Sequence, residues 1–362
     1  MKKIFVLIGT RPNFIKVTQF KSLAKNYPNL SVSIIHTGQH YDKNMADVFF
    51  NEFNLVPDFY LNIKPSSPSN QIAEIILKLD DLFAEVGKPD LLIVPGDVNS
   101  TLAGAIYANK NNIKLAHLEA GLRSFDNTMP EEHNRILTDN ISDILFVTEQ
   151  SGLTNLEEEK CDGKIHFVGN TMIDTLVQFE SQINKSTILE RLAVNRKYIV
   201  TTIHRPGNVD TKEGLQKLAK LFSELSKDYD ILFPVHPRTL SRIKEFGLEE
   251  EFKQFKGLQF LEPLGYFDFQ KLVKHCSFVL TDSGGIQEET TYRQIPCLTL
   301  RQNTERPITC KIGSNTLVPF DIKILLEYVQ KIKHGNYKKG AIPPLWDGKS
   351  TERILEIIGN NL

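Results

Sequence analysis

Short apolar runs recur along the chain with longer amphipathic stretches between them. In the first half they cover residues 4–9, 32–37, 91–96, 115–120, 144–148 and 165–169; in the second half, 198–204, 231–236, 258–264, 278–281 and 297–300. Most are hydrophobic almost without a break, which predicts strands buried on both faces, as in parallel sheets joined by crossover helices. The fold class expected is α/β, with doubly wound Rossmann-like domains and a ligand cleft between them. Residues 171–197 separate the two series, with a helical-looking 172–179 followed by a polar 181–186, so the boundary is placed there. That gives a first domain over 1–171 and a second over 172–345. Pro343-Pro344-Leu345-Trp346-Asp347-Gly348 interrupts regular structure before a final helix within 346–362. Its apolar side carries Ile354, Leu355, Ile357 and Ile358, and it is expected to pack back on the first domain.

Composition narrows the picture by exclusion. The 362 residues are 41% hydrophobic and 24% charged with a formal net charge of -1, a globular balance whose overall field attracts neither nucleic acid nor a membrane surface. Cys161, Cys276, Cys297 and Cys310 show neither a C-x-x-C nor a paired-histidine spacing, so no metal and no disulfide framework is expected. The apolar run behind Met1-Lys2-Lys3 is too short for a signal peptide and no run is long enough for a membrane span. A cytoplasmic enzyme is the expectation.

Polar residues gather just after the runs, where open parallel sheets place their ligand sites. In Thr281-Asp282-Ser283-Gly284-Gly285-Ile286-Gln287-Glu288-Glu289 a buried strand ends in a turn that opens a helix. Paired glycines there let a phosphate approach backbone N–H groups at a helix N-terminus. Ser283 also fits a plain helix cap, although Ile286 stands where a capping box needs Glu or Gln. Glu289 lies one turn deeper, and Glu305-Arg306 in the loop 301–307 could close over the same ligand. The turn Gly9-Thr10-Arg11-Pro12 sets Pro12 in the first turn of a helix and brings Arg11 and Lys16 toward an anion.

Further clusters supply carboxylates and histidines. Asp97, in Gly96-Asp97-Val98-Asn99, is a base, a sugar ligand or a helix cap. Glu119, in His117-Leu118-Glu119-Ala120-Gly121-Leu122-Arg123, ends a buried strand, where a carboxylate without a task or a partner is costly. Glu131 and Arg135 share a helix face; as an exposed pair alone they contribute ~0.3–0.5 kcal/mol. His204 and His236 end successive strands, each within two residues of an arginine, Arg205 and Arg238, which favours a role toward an anion.

Taken in order, Gly9 to Pro12, His117 to Arg123, Pro130-Glu131-Glu132 with Asn134-Arg135, Asp282 to Glu289 and Thr304-Glu305-Arg306-Pro307 resemble the non-hydrolysing UDP-N-acetylglucosamine 2-epimerases. The resemblance extends over nearly the whole chain. It implies the GT-B architecture, a homodimer, no cofactor, and inversion at C2 of a UDP-sugar, a precursor of cell-surface polysaccharide. Elimination of UDP would give a 2-acetamidoglucal, and UDP would then add back with the proton delivered to the opposite face. By matching positions it implies catalytic roles for Asp97, Glu119, Glu131 and His204. Arg11, Lys16, Arg135, His236, Ser283, Gly284, Gly285, Glu289 and Arg306 would bind substrate.

The chain departs from the family in two places. Asn13-Phe14 follows Pro12 where many members carry Glu. The segment Gln39-His40-Tyr41-Asp42-Lys43-Asn44-Met45 is longer than its counterpart, which helps form a regulatory UDP-N-acetylglucosamine site in the best-known bacterial members. A sugar with a C3 acetamido group or a C6 carboxylate is an alternative substrate. A GT-B glycosyltransferase, a silent UDP-sugar sensor and a hydrolysing epimerase are the rival activities.

Overall fold

The computed structural model describes residues 1–38 and 52–361, and the segment 39–45 singled out above lies outside the described residues. The chain forms two compact units, Met1–Gln178 with Pro344–Leu362, and Phe179–Pro343. The first is built on β1 (Lys2–Ile8), β2 (Leu30–His36), β3 (Phe59–Tyr60), β4 (Leu91–Pro95), β5 (Lys114–Ala120), β6 (Ile144–Val147) and β7 (Lys164–Phe167). Every pairing is parallel, in the order β3-β2-β1-β4-β5-β6-β7. The second holds β8 (Tyr198–Thr202), β9 (Asp230–Pro234), β10 (Leu258–Leu261), β11 (Val279–Thr281), β12 (Cys297–Thr299) and β13 (Asn315–Leu317). These are also parallel, ordered β10-β9-β8-β11-β12-β13.

Each sheet therefore reverses its strand order once, between β1 and β4 in the first unit and between β8 and β11 in the second. At such a point the loops leave neighbouring strands toward opposite faces and open a crevice at the carboxyl edge. The central strands are apolar because helices cover both sides: Leu91 to Val94 in β4 are fully buried, as are Ile231 to Phe233 in β9. Aromatic rings fill the second core, where Phe222 meets Phe233 and Phe252 edge to face.

The observed division falls at Gln178 and Phe179 rather than at residue 171. The helix Thr171–Gln178 belongs to the first unit because its buried Asp174 caps the last helix of the chain, accepting from the backbone N–H of Ser350 at 3.0 Å and of Thr351 at 2.6 Å. Just before that helix, Trp346 is 1% exposed and its indole N–H donates to Thr148 O at 3.0 Å. The last helix, Ser350–Asn361, thus packs within the first unit. No helix among the described residues is long and apolar enough to cross a membrane.

Candidate active site

In the first unit the cluster is assembled by loops on both sides of the strand-order reversal. The helix Arg11–Val17 starts directly after β1, with Arg11 at its first position and Pro12 next. Asn13 is buried and joins two loops: its Oδ1 accepts from Thr10 N at 3.2 Å and Thr10 Oγ1 at 3.0 Å, and its Nδ2 donates to Pro95 O at 3.0 Å. The departure at this position thus ties the end of β1 to the end of β4. One turn on, Lys16 forms a buried ion pair with the carboxylate of Glu119.

Glu119 is the extra residue of a bulge, since Leu118 pairs with Phe146 and Ala120 with Val147. Its φ is +74°, a left-handed conformation that costs a β-strand residue about 1–3 kcal/mol and is held only where surrounding structure enforces it. The bulge lets the side chain reach across the end of β4 to Lys16. Gly96 makes room for that crossing. With φ at +69°, a Cβ placed there would lie 3.1 Å from Lys16 Nζ, 3.2 Å from Asn13 Nδ2 and 3.5 Å from Glu119 Oε2.

Next to Gly96, Asp97 accepts from Arg135 Nη1 at 3.1 Å and its carbonyl from Asn134 Nδ2 at 2.8 Å. Val98, not Asp97, occupies the cap position of the helix Asn99–Lys110, so the capping alternative for Asp97 falls away. The alternative of an exposed Glu131–Arg135 pair falls away as well. Arg135 is 2% exposed and its ion pairs run to Asp97 and to Glu132, the latter at 3.0 Å. Helical phase turns Glu132 inward and leaves Glu131 half-buried. Glu132 also fixes the preceding loop by accepting from the N–H groups of Ser124 and Phe125.

Sequence reasoning missed the support beneath this cluster. His117 is fully buried between the Gly96 carbonyl, 2.7 Å from Nε2, and Asp139, 2.6 Å from Nδ1. Burial alone would raise the Asp139 carboxyl, but His117 and Arg123 outweigh it and hold the group below its ordinary value. The His117 ring thus ties the end of β4, through the Gly96 carbonyl, to Asp139 on the helix Pro130–Asn140. The spacing of Glu132, Arg135 and Asp139 on one helix face was the available signal.

In the second unit β8 and β11 end side by side. Asp282 is completely buried and gathers the loop after β8: it accepts from His204 N at 3.1 Å, Arg205 N at 2.8 Å and Asn208 Nδ2 at 2.9 Å, with His204 Nδ1 at 3.2 Å. Burial pushes this carboxyl up, and these bonds, with His204 foremost, bring it below its usual range. His204 stacks on His236, ring centres 5.1 Å apart. His236 caps the helix Pro237–Glu245 by accepting from Arg238 N at 3.1 Å. The arginines expected to face an anion are engaged locally. Arg238 binds Asp210 through two nitrogens at 2.9 and 2.7 Å, and Arg205 Nε donates to the Asp282 carbonyl at 3.0 Å.

Ser283 stands at the cap position of the helix Gly284–Arg293, yet its hydroxyl makes no cap hydrogen bond. Gly284 and Gly285 are the first helical residues, and a Cβ on Gly284 would lie 2.7 Å from Glu305 Oε1 and 3.1 Å from Arg306 Nη1. Arg306 also reaches Glu288 at 2.6 Å and pairs with Glu305, which holds Arg301 at 2.8 Å. The carboxylate of this helix that Arg306 reaches is thus that of Glu288, one residue before Glu289. Glu289 lies deeper, and burial raises its carboxyl to about 7. No group of His, Cys, Asp or Glu side chains able to hold a metal ion occurs among the described residues.

The family model for UDP-N-acetylglucosamine 2-epimerase matches residues 22–359. The chain belongs to that family. A UDP-N-acetylglucosamine 2-epimerase of Methanococcus maripaludis is 40% identical to this family member over 366 residues, spanning 99% of this chain and 98% of its own. A UDP-2,3-diacetamido-2,3-dideoxy-D-glucuronate 2-epimerase of Pseudomonas aeruginosa is 38% identical over 323 residues, with 87% and 88% covered. The crystal structure of Methanocaldococcus jannaschii UDP-GlcNAc 2-epimerase in complex with UDP-GlcNAc and UDP superimposes with a TM-score of 0.89 at 39% identity, covering 99% of this chain and all of that one. The epimerase-family fold of the chain is thus α/β of the GT-B type.

Proposed function

We propose that the chain inverts C2 of a UDP-N-acetylhexosamine, converting UDP-N-acetylglucosamine to UDP-N-acetylmannosamine and back. Family membership supports the reaction, and the observation that carries it is Glu119, a buried carboxylate paired with Lys16 on a backbone conformation the fold must enforce. The C2 proton is not adjacent to a carbonyl, so C1 must first become electron-poor as its bond to the diphosphate oxygen breaks. That electron pair leaves with UDP, a carboxylate takes the C2 proton, and a C1–C2 double bond remains. Addition of UDP to C1 with a proton delivered to the other face of C2 completes the inversion. Two faces need proton-transfer groups on both sides, which Asp97, Glu119 and Glu131 supply.

The leaving diphosphate is assigned to Ser283, Gly284 and Gly285, with Arg306 beside them and the partial positive charge of the helix N-terminus behind them. Arg11, Lys16 and Arg135 add positive charge, Glu289 takes the ribose hydroxyls, and His204 with the His236 ring against it stands as a donor near the same anion. The activity requires no cofactor. A cytoplasmic homodimer making polysaccharide precursors follows from the resemblance, and light scattering tests the dimer. The Pseudomonas relative favours a second substrate, a UDP-sugar with a C3 acetamido group and a C6 carboxylate.

Incubation in deuterated water with each UDP-sugar, followed by NMR at C2, tests the proposal. Deuterium at C2 together with the manno epimer is expected. Absence of both with every UDP-sugar tried would sink the epimerase reading, and sugar transfer to an acceptor without exchange would replace it by a glycosyltransferase.

A further inference from the structure

Arg301 lies two residues beyond the end of β12, which pairs with the strand that ends at Thr281, and it is 6% exposed. Its backbone N–H donates to Thr299 O at 2.8 Å, and the carbonyl before it, that of Leu300, lies 3.5 Å from Asn208 Nδ2, which also binds Asp282. The backbone is thereby fixed at the carboxyl edge of the sheet, beside β11, the strand that leads into the Ser283-Gly284 turn. Nη2 donates to Glu305 Oε2 at 2.8 Å, whereas Nε and Nη1 are buried with no hydrogen-bond partner among the described residues. The other oxygen of that same carboxylate is the atom that crowds Gly284. The guanidinium thus sits one carboxylate away from the helix N-terminus.

A guanidinium cannot lose its proton in a protein, so these N–H groups cannot be silenced by neutralisation. Buried donors without acceptors are costly and rare in native folds. The arrangement is economical only if an oxygen-rich anion completes it, and the Nε and Nη edge of an arginine matches two oxygens of one phosphate. We propose that Arg301 is a further diphosphate-binding residue, gripping the phosphate that leaves with UDP alongside the Gly284 turn. The inference rests on the UDP-sugar reading above. Glu305 then has a positioning task, holding Arg301 and Arg306 on opposite oxygens so that both present donors to the same anion.

Calorimetry with UDP and with uridine, on the full-length protein and on Arg301→Lys and Arg301→Gln, decides it. UDP affinity should fall roughly 30-fold in the Gln variant and less in the Lys variant, while uridine, which lacks the phosphates, binds all three alike. Equal losses for UDP and uridine, or no loss at all, would overturn the assignment. If the unaltered protein binds neither ligand, the UDP-sugar reading itself fails, which is a separate outcome. Should the Gln variant not fold, the Arg301 side-chain N–H resonance of the unaltered protein, assigned with the Lys variant, takes its place. It should shift on adding UDP and stay on adding uridine; no shift with UDP overturns the proposal.

Discussion

Lys16 bonds the carboxylate of Glu119 across the end of β4, and the two side chains are 5% and 2% exposed. Buried pairs of this kind contribute little net stability, but breaking one strands the other charge. Lys16→Met should destabilise the protein by about 3–5 kcal/mol, because the Glu119 carboxylate stays buried after its cation is removed. Glu119→Gln should lower turnover by roughly 10²–10⁴-fold while UDP binding persists. Combining both changes should restore much of the stability and none of the turnover, as denaturant midpoints and rates will report. A double variant as unstable as Lys16→Met alone would contradict the pairing argument.

Gly96→Ala tests the same crossing without touching a charge. The added Cβ would press on Lys16, Asn13 and Glu119 at 3.1–3.5 Å, on a backbone with φ at +69°. Strain of about 1–3 kcal/mol is expected, relieved by displacing the ion pair. Because the displaced Glu119 is assigned to proton transfer and Lys16 is only one of several cations assigned to the diphosphate, kcat should fall at least tenfold (~1.4 kcal/mol) with a smaller loss of UDP affinity. A matching loss of UDP affinity would mean that Gly96 serves general folding instead.

Arg306→Ala removes the cation shared by Glu288 and Glu305. The Glu305 oxygen beside Gly284 then loses the cation it pairs with, although Arg301 keeps the other oxygen, so the loss combines a missing donor with new repulsion toward the diphosphate. UDP affinity should drop about 100-fold, the upper range for a hydrogen bond to a charged group. Unchanged affinity in calorimetry would remove Arg306 from the site.

The strands were legible where burial on both faces leaves an unbroken apolar run, as in 91–96 and 278–281. The edge strands β3 and β13 escaped because Phe59–Tyr60 and Asn315–Leu317 are too short to show a period. Glu119 was legible as a costly carboxylate, but its bulge and its crossing to Lys16 were not, since residues 103 positions apart carry no local signal. The inward choice of Glu132 over Glu131, and the burial of His117 with Asp139, invert the usual assumption that a polar helix face meets water. A polar stripe reads alike in sequence whether solvent or another polar cluster covers it.

Glu289 gives the sharpest dependence on pH. It is 5% exposed, and burial raises its carboxyl to about 7 even though Gln270, Tyr266 and Arg293 pull it down; Glu288 adds to the rise. An unfolded Glu titrates near ~4.3. Below that value both states hold the proton and native stability is fully present. As pH rises toward 7 the unfolded chain releases the proton while the native protein keeps it, so stability falls, by on the order of 3 kcal/mol once both have ionised. Glu289→Gln, permanently neutral, should therefore match the unaltered ligand-free protein at pH near ~4 and exceed it at pH near ~8, as urea midpoints will show. Ribose hydroxyls donating to Glu289 favour its ionised form, so UDP binding near pH ~6 should release a proton, detectable as a dependence of the binding heat on the buffer's ionisation enthalpy. The phosphate of UDP titrates in the same region, and the Gln variant isolates the share due to Glu289. A variant with the same stability difference at both pH values, and the same proton release, would place the ribose elsewhere.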